Sequence, residues 1–211
     1  MILYIMSLNQ LVSANTLYTD DRRLNVKLGN IDALNIVGQN VITRQYQQLT
    51  SVVNTGTNAE TLIDTFNSIG SNVIPANTLK QGSKIYVKAS GFFTYTASQY
   101  FNFNTRFNGS RYILNNNFQL TNAYTSGSTF NLEQEILITL GGNLRVYSKV
   151  YFKKPSVPPS LTEGPEETFV FTEYNNTSID LAVDNSFELE NLFNLPGGII
   201  QIQDLELSYI A

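Results

Sequence analysis

Glu133 and Glu135 stand two residues apart in a stretch that alternates apolar and polar side chains. On an extended strand both carboxylates leave the same face, about 7 Å apart. That spacing falls within the range glycosidases use for paired acids, one protonating the leaving group while the other attacks or activates water. The plainer reading makes them the solvated side of a strand, since nothing in the sequence supplies a cleft that would shift a carboxyl pKa. Asp20-Asp21, Asp32 and Glu166-Glu167 offer oxygen atoms of the kind calcium or magnesium accepts, but none follows a calcium-loop spacing. The chain has no histidine and no cysteine, which removes Ser-His-Asp and Cys-His catalysis, Cys/His zinc sites, disulfides and thiol redox chemistry together. No catalytic, cofactor-binding or metal residue is assigned, no cofactor is expected, and the chain reads as a non-enzyme.

What remains is contact chemistry. Tyr86, Tyr100, Tyr147 and Tyr151 fall at polar positions of alternating stretches. Tyrosine there offers contact area with a polar tip, as at protein interfaces and sugar platforms. Lys84 and Lys88, with Arg106 and Arg145, define a basic stripe that either meets acidic neighbours or is ordinary solvated surface. The six residues Tyr86, Tyr100, Tyr147, Tyr151, Lys84 and Lys88 form the candidate interface.

The elements that must hold these residues are strands. Asn, Ser and Thr are abundant, and Tyr 12 and Phe 13 stand beside Trp 0. Aromatic and β-branched side chains suit a half-buried pleated surface, and Asn and Gly suit its turns. From Lys84 the alternation is strict: Ile85, Val87, Ala89, Gly91, Phe93 and Tyr95 share one face, with Lys84, Lys88, Ser90, Thr94 and Thr96 on the other. Phe101, Phe103 and Phe107 alternate with Asn102, Asn104 and Arg106 up to Asn108-Gly109, a hairpin signal that sends Arg111 to Leu114 back. Phe130, Leu132, Ile136, Ile138 and Leu140 make the next apolar face. Gly141-Gly142 predicts a two-residue turn into Leu144, Val146, Val150 and Phe152.

Lys153 to Glu167 holds four of the six prolines and predicts an exposed loop. Strands follow at Thr168 to Glu173 and Ile179 to Val183, and an earlier one at Thr61 to Ile69. In "GGIIQIQDLELSYIA" the apolar phase slips between Ile202 and Leu205, which one extra residue near Gln203-Asp204 explains as a bulge. These elements predict an all-β fold, a single eight-stranded jelly-roll β-sandwich spanning 58–211. Residues 1–57 have only short apolar pairs between Gly and Asn, so they read as an extended N-terminal arm for assembly or a stalk, or equally as extra strands folded onto the same domain.

Charge and hydropathy bound the partners. Lys+Arg 13 against Asp+Glu 17 leaves −4, scattered along the chain, which disfavours non-specific nucleic-acid binding. No apolar run approaches the roughly 20 residues of a membrane span. "MILYIM" lacks a basic flank and reads as a strand or docking segment.

"IPANTLKQGSKIYVKASGFF", Ile74 to Phe93, resembles a pattern in structural proteins of tailed bacteriophages and other DNA viruses. "AETLIDTFNSIG", the "FNGSRYI" hairpin and "IQDLELSYI" fall in the same order as in those chains, over 58–211. The resemblance implies a jelly roll that builds capsids, vertices, decorations or fibre heads. The expected function is thus a structural virion protein, a vertex (penton-type) or minor capsid component located in the virion. Its expected partners are copies of itself, with a pentamer favoured over a trimer, and other capsid proteins. The alternative is a trimeric fibre or spike head that binds a host receptor or glycan. Ile74, Pro75, Ala76, Asn77, Thr78 and Leu79 read as a fold-marking turn: Pro75 ends a strand, Asn77 and Thr78 bond locally, and Leu79 tucks into the core.

Overall fold

The computed structural model describes residues 42–55, 60–96, 100–111, 118–155, 166–175 and 178–211. All of them lie in the unit Asn35–Ala211; residues 1–34 lie outside the described residues. In chain order the strands are β1 (Thr43–Gln48), β2 (Val52–Asn54), β3 (Glu60–Thr61), β4 (Ser68–Gly70), β5 (Val73–Ile74), β6 (Lys84–Thr94) and β7 (Tyr100–Phe107). They continue with β8 (Ser110–Arg111), β9 (Phe118–Gln119), β10 (Thr129–Ile138), β11 (Leu144–Lys153), β12 (Glu166–Asn175), β13 (Asn185–Phe193) and β14 (Ile199–Ile210). Among the described residues no helix is long and apolar enough to cross a membrane.

Two antiparallel sheets enclose the core. The larger runs β12-β11-β10-β6-β14-β1-β4, with β2 also on β14; the smaller runs β3-β13-β7-β8, with β5 on β13 and β9 on β7. The all-β, sandwich-like reading therefore holds. Fourteen strands are present among the described residues where eight are expected, the surplus being short edge segments and an added hairpin arm. The part of 1–57 that is described does not stand apart: β1 and β2 both pair with β14.

Inward side chains of the long strands fill the space between the sheets. Ile85, Val87, Ala89 and Phe93 of β6 are buried, as are Phe101, Phe103 and Phe107 of β7. Phe93 is the hub of an aromatic cluster, with ring centres 4.8 Å from Phe152, 5.1 Å from Phe101 and 5.7 Å from Tyr95. Each such pair contributes about 0.5–1.5 kcal/mol beyond the area it buries. Two polar bridges cross this core. Thr105 donates to Gln134 Oε1 at 2.7 Å, and Gln134 Nε2 donates to Ser148 Oγ at 3.3 Å. Asn54 Nδ2 donates to both the side-chain and main-chain oxygens of Asn191.

The bulge expected near Gln203 is present. Ile202 pairs with Gly91 and Asp204 with Ser90, which leaves Gln203 as the extra residue. The Asn108-Gly109 hairpin also forms, with φ of 47° and 77°. Residues 112–114 of the expected return strand lie outside the described residues.

Other local expectations are corrected. Leu140 does not continue the apolar face of β10 but sits 74% exposed in a tight turn. Ile138 pairs with Leu144, so the connection is the five residues 139–143, closed by Thr139 N donating to Asn143 O at 2.7 Å. Ile179 to Val183 is a loop. The Asp180 carboxylate accepts from Ala182 N at 2.9 Å and turns the chain, while Ile179 plugs the end of the core. The strand is β13 instead, whose inward Asn191 interrupts the apolar alternation of Phe187, Leu189 and Phe193. Thr61 to Ile69 divides into β3 and β4 because Asp64 fastens a turn between them, accepting from Phe66 N, Asn67 N and the Thr50 hydroxyl. Asn104 is not wet; it is buried beside Glu190 on the outer side of β7. Of the proline-rich loop, 156–165 lie outside the described residues, and β12 reaches back to Glu166.

Candidate interaction surface

The turn from Ile74 to Leu79 fastens one end of the sandwich. Ile74 and Leu79 are buried, Asn77 has a left-handed φ of 59°, and Thr78 N donates to Pro75 O at 3.2 Å. Two further bonds clamp the 178–184 loop: Ala76 N to Asp184 Oδ1 at 2.8 Å and Asn77 N to Leu181 O at 2.8 Å. These bonds all close on the protein's own loops, so the geometry of the turn is that of a corner.

Five of the six candidate interface residues come together on the outer face of the larger sheet. Register places Tyr147, Glu135 and Tyr86 in one cross-strand row, and Tyr151, Asn131, Ser90 and Asp204 in another. Between them runs a row of alternating charge: Lys149, Glu133, Lys88 and Glu206, on β11, β10, β6 and β14. Lys84 joins the same face through a 2.7 Å ion pair with Glu135. That hydrogen bond raises the Lys84 ammonium above its ordinary pKa. Tyr100 is elsewhere: it opens β7 in the smaller sheet, where its N–H donates to Asn194 Oδ1 at 2.9 Å. Arg106 is likewise on the smaller sheet, committed to Glu190 at 2.5 Å, and does not extend the basic stripe; Arg145 stays on the larger sheet, opposite Tyr174.

The face is open. A shallow hollow of about 200 Å³ lies between Asn131, Glu133, Lys149 and Tyr151. Glu133 and Glu135 share the face, but Glu135 is tied to Lys84 and Glu133 is the single carboxylate lining the hollow, so the two do not face each other across a cleft. A second, wide depression near Gly142 contains a single carboxylate, Asp180, already engaged with Ala182 N.

The acidic residues considered as metal ligands diverge. Glu166 takes the Tyr151 hydroxyl and Lys153, which together hold its carboxyl below the ordinary range. Glu167 points the other way and receives Thr121 N at 2.9 Å and Asn122 N at 2.8 Å. Among the described residues no group of three or more acidic side chains could hold a metal ion. Asp20, Asp21 and Asp32 lie outside the described residues.

Sequence reasoning missed an apolar end to this face. Phe92, Val53 and Ile199 are 40%, 50% and 41% exposed, and Gln201 pairs with both Phe92 and Val53. The signal was Phe92 itself, an aromatic at the outward position between Gly91 and Phe93. A second feature is Phe66, 95% exposed on the turn that Asp64 fastens. The Asp64 carboxyl lies below its ordinary pKa, chiefly through the Thr50 hydroxyl and then Phe66 N.

No family model, curated protein or solved structure matches the chain. The class that the fold and this face define is an all-β, sandwich-like protein with an open, patterned surface.

Proposed function

We propose that the chain is a structural virion protein, a single jelly-roll capsid component at a vertex (penton-type) or minor position. It assembles with copies of itself as a pentamer and touches neighbouring coat proteins. The observation that supports the jelly-roll part of this reading is strand order. Taking β1/β2, β3, β6, β7, β8/β9, β10, β13 and β14 as eight successive positions, the larger sheet runs first, eighth, third, sixth. The smaller runs second, seventh, fourth, fifth. Two Greek keys rolled together produce this order. The hairpin partners β11 and β12 then extend the sixth position outward. Because jelly rolls carry capsid, lectin and enzyme functions alike, the functional part of the reading rests on the resemblance over Ile74 to Phe93. The exposed apolar side chains Ile69, on the edge strand β4, and Leu49 and Phe66, in the loops beside it, support assembly.

A trimeric fibre or spike head is the second reading. It draws on Phe66, presented on a fastened turn in the manner of an anchor for a partner's pocket. Native mass spectrometry of the full-length chain, with negative-stain microscopy, tests both. Five copies in a ring are expected; three copies favour the fibre head, and a single chain at every concentration overturns assembly altogether.

A further inference from the structure

The charged row on the outer face has a symmetry property. Lys149, Glu133, Lys88 and Glu206 read plus, minus, plus, minus across four adjacent strands, about 14 Å in all. Reversed, the row reads minus, plus, minus, plus. A second copy laid on this face about a twofold axis running along the strands, between β10 and β6, therefore sets every charge against its opposite. Lys149 meets the partner's Glu206, Glu133 meets the partner's Lys88, and the converse pairs follow.

Neighbouring rows obey the same operation. Glu135 meets the partner's Tyr86, so a hydroxyl faces a carboxylate, while Tyr151, whose own hydroxyl goes to Glu166, lies against the partner's Asp204. No like charges in these rows face each other. The hollow at Asn131, Glu133, Lys149 and Tyr151 faces the partner's β6 and β14 beside the bulge, where Gln203 and Asp204 are both exposed. Among the described residues no salt bridge joins Lys88, Glu133 and Lys149 to one another; Glu206 is paired with Arg44 of β1 at 3.6 Å and shares its carboxylate between Arg44 and the partner's Lys149 in this arrangement.

We propose that the chain binds a second copy of itself face to face through the outer surface of the larger sheet, around this twofold axis. The proposal rests on the self-assembly reading above and names the contact. It is isologous, so it cannot close a ring of five; it joins two chains that belong to different rings or stand alone.

The test uses the full chain and two exposed charge reversals, Lys88→Glu and Glu133→Lys, each checked for unchanged circular dichroism. Sedimentation velocity is expected to show a pair of chains, or a pair of rings, whose dissociation constant rises about tenfold or more in either variant. Mixing the two variants restores the contact. The glutamate introduced at position 88 of one chain then faces the lysine introduced at position 133 of the other, and the unaltered Glu133 and Lys88 face each other as well. With one variant isotope-labelled, native mass spectrometry reads the mixed pair directly. Assembly unaffected by either reversal, or no gain on mixing, overturns the twofold contact and leaves self-assembly standing. A wild-type chain that is monomeric at every concentration overturns both.

Discussion

Gly91 lies under the main chain of Gln201: a Cβ added to Gly91 would sit 1.9 Å from the Gln201 carbonyl oxygen. The bulge at Gln203 brings β14 that close, because the strand must take up one extra residue between Ile202 and Asp204. The obstacle is backbone on a central strand pair, so it cannot swing aside as a side chain would. Gly91→Ala is expected to cost about 3 kcal/mol, and Ser90→Ala next to it less than about 0.5 kcal/mol. Urea unfolding of the two variants checks the difference; equal midpoints would mean that the bulge relaxes freely.

The contrast between β14 and β13 shows what the sequence makes legible. In β14 the apolar phase is intact on both sides of Gln203, so a single slip stands out and the bulge is legible in the residue pattern by itself. In β13 an inward Asn191 replaces an apolar residue, and its partner Asn54 lies 137 positions away. No local pattern announces that pair, and the strand is mistaken for its preceding loop, where Ile179 and Leu181 mimic strand spacing. The same holds for the candidate surface. Alternation places Tyr86, Tyr147, Tyr151, Lys84 and Lys88 on polar faces, but only register across four strands aligns the charges into a row. Tyr100 fails for the same reason, since alternation cannot say to which sheet a strand belongs.

The bridge from Thr105 through Gln134 to Ser148 spans the two sheets, and all three residues are buried. Removing one end strands the other. Thr105→Val leaves the Gln134 carbonyl without its donor and is expected to cost about 1–3 kcal/mol, whereas the triple change Thr105→Val, Gln134→Leu, Ser148→Ala removes every member and costs less than the single one. Chemical denaturation of the single and triple variants measures this. A triple variant that loses the sum of its single losses would show three independent contributions instead of one bridge.

Tyr46 ties β1 to the turn that carries Phe66. Its hydroxyl lies 2.8 Å from the Asp64 carbonyl oxygen and 3.0 Å from Gln48 Oε1, and burial pushes its pKa up to about 12. The folded value exceeds the ordinary 10.0, so the stabilisation is complete below pH 10 and is lost as pH rises toward the folded value. Tyr46→Phe is expected to unfold more easily at neutral pH and to lose part of the alkaline sensitivity of the wild type. Thermal melts from neutral pH up to about pH 11, which lies between the unfolded and folded values, read this. A wild type whose slope matches that of the variant would remove Tyr46 from the account.

Glu167 supplies the acid-side counterpart. Burial pushes its carboxyl up, but bonds from Thr121 N and from the side chain and N–H of Asn122 outweigh it, and the net shift is below the ordinary 4.5. A depressed folded pKa contributes stability that is fully present above the unfolded value and is lost as pH falls through the folded one. The wild type should therefore lose stability progressively below pH 4.5, as protonation releases the 121–122 turn from β12. Glu167→Gln keeps an acceptor oxygen but cannot ionise, so it is expected to be less stable at neutral pH and to flatten the acid limb. Tyr124, whose hydroxyl lies 3.2 Å from the same carboxylate, gives the local readout. Burial first and the Glu167 charge second hold its ionisation above the ordinary range, so in Glu167→Gln the Tyr124 hydroxyl should titrate at lower pH than in the wild type. Unchanged acid unfolding together with unchanged Tyr124 titration would mean that the carboxylate does not fasten this turn in solution.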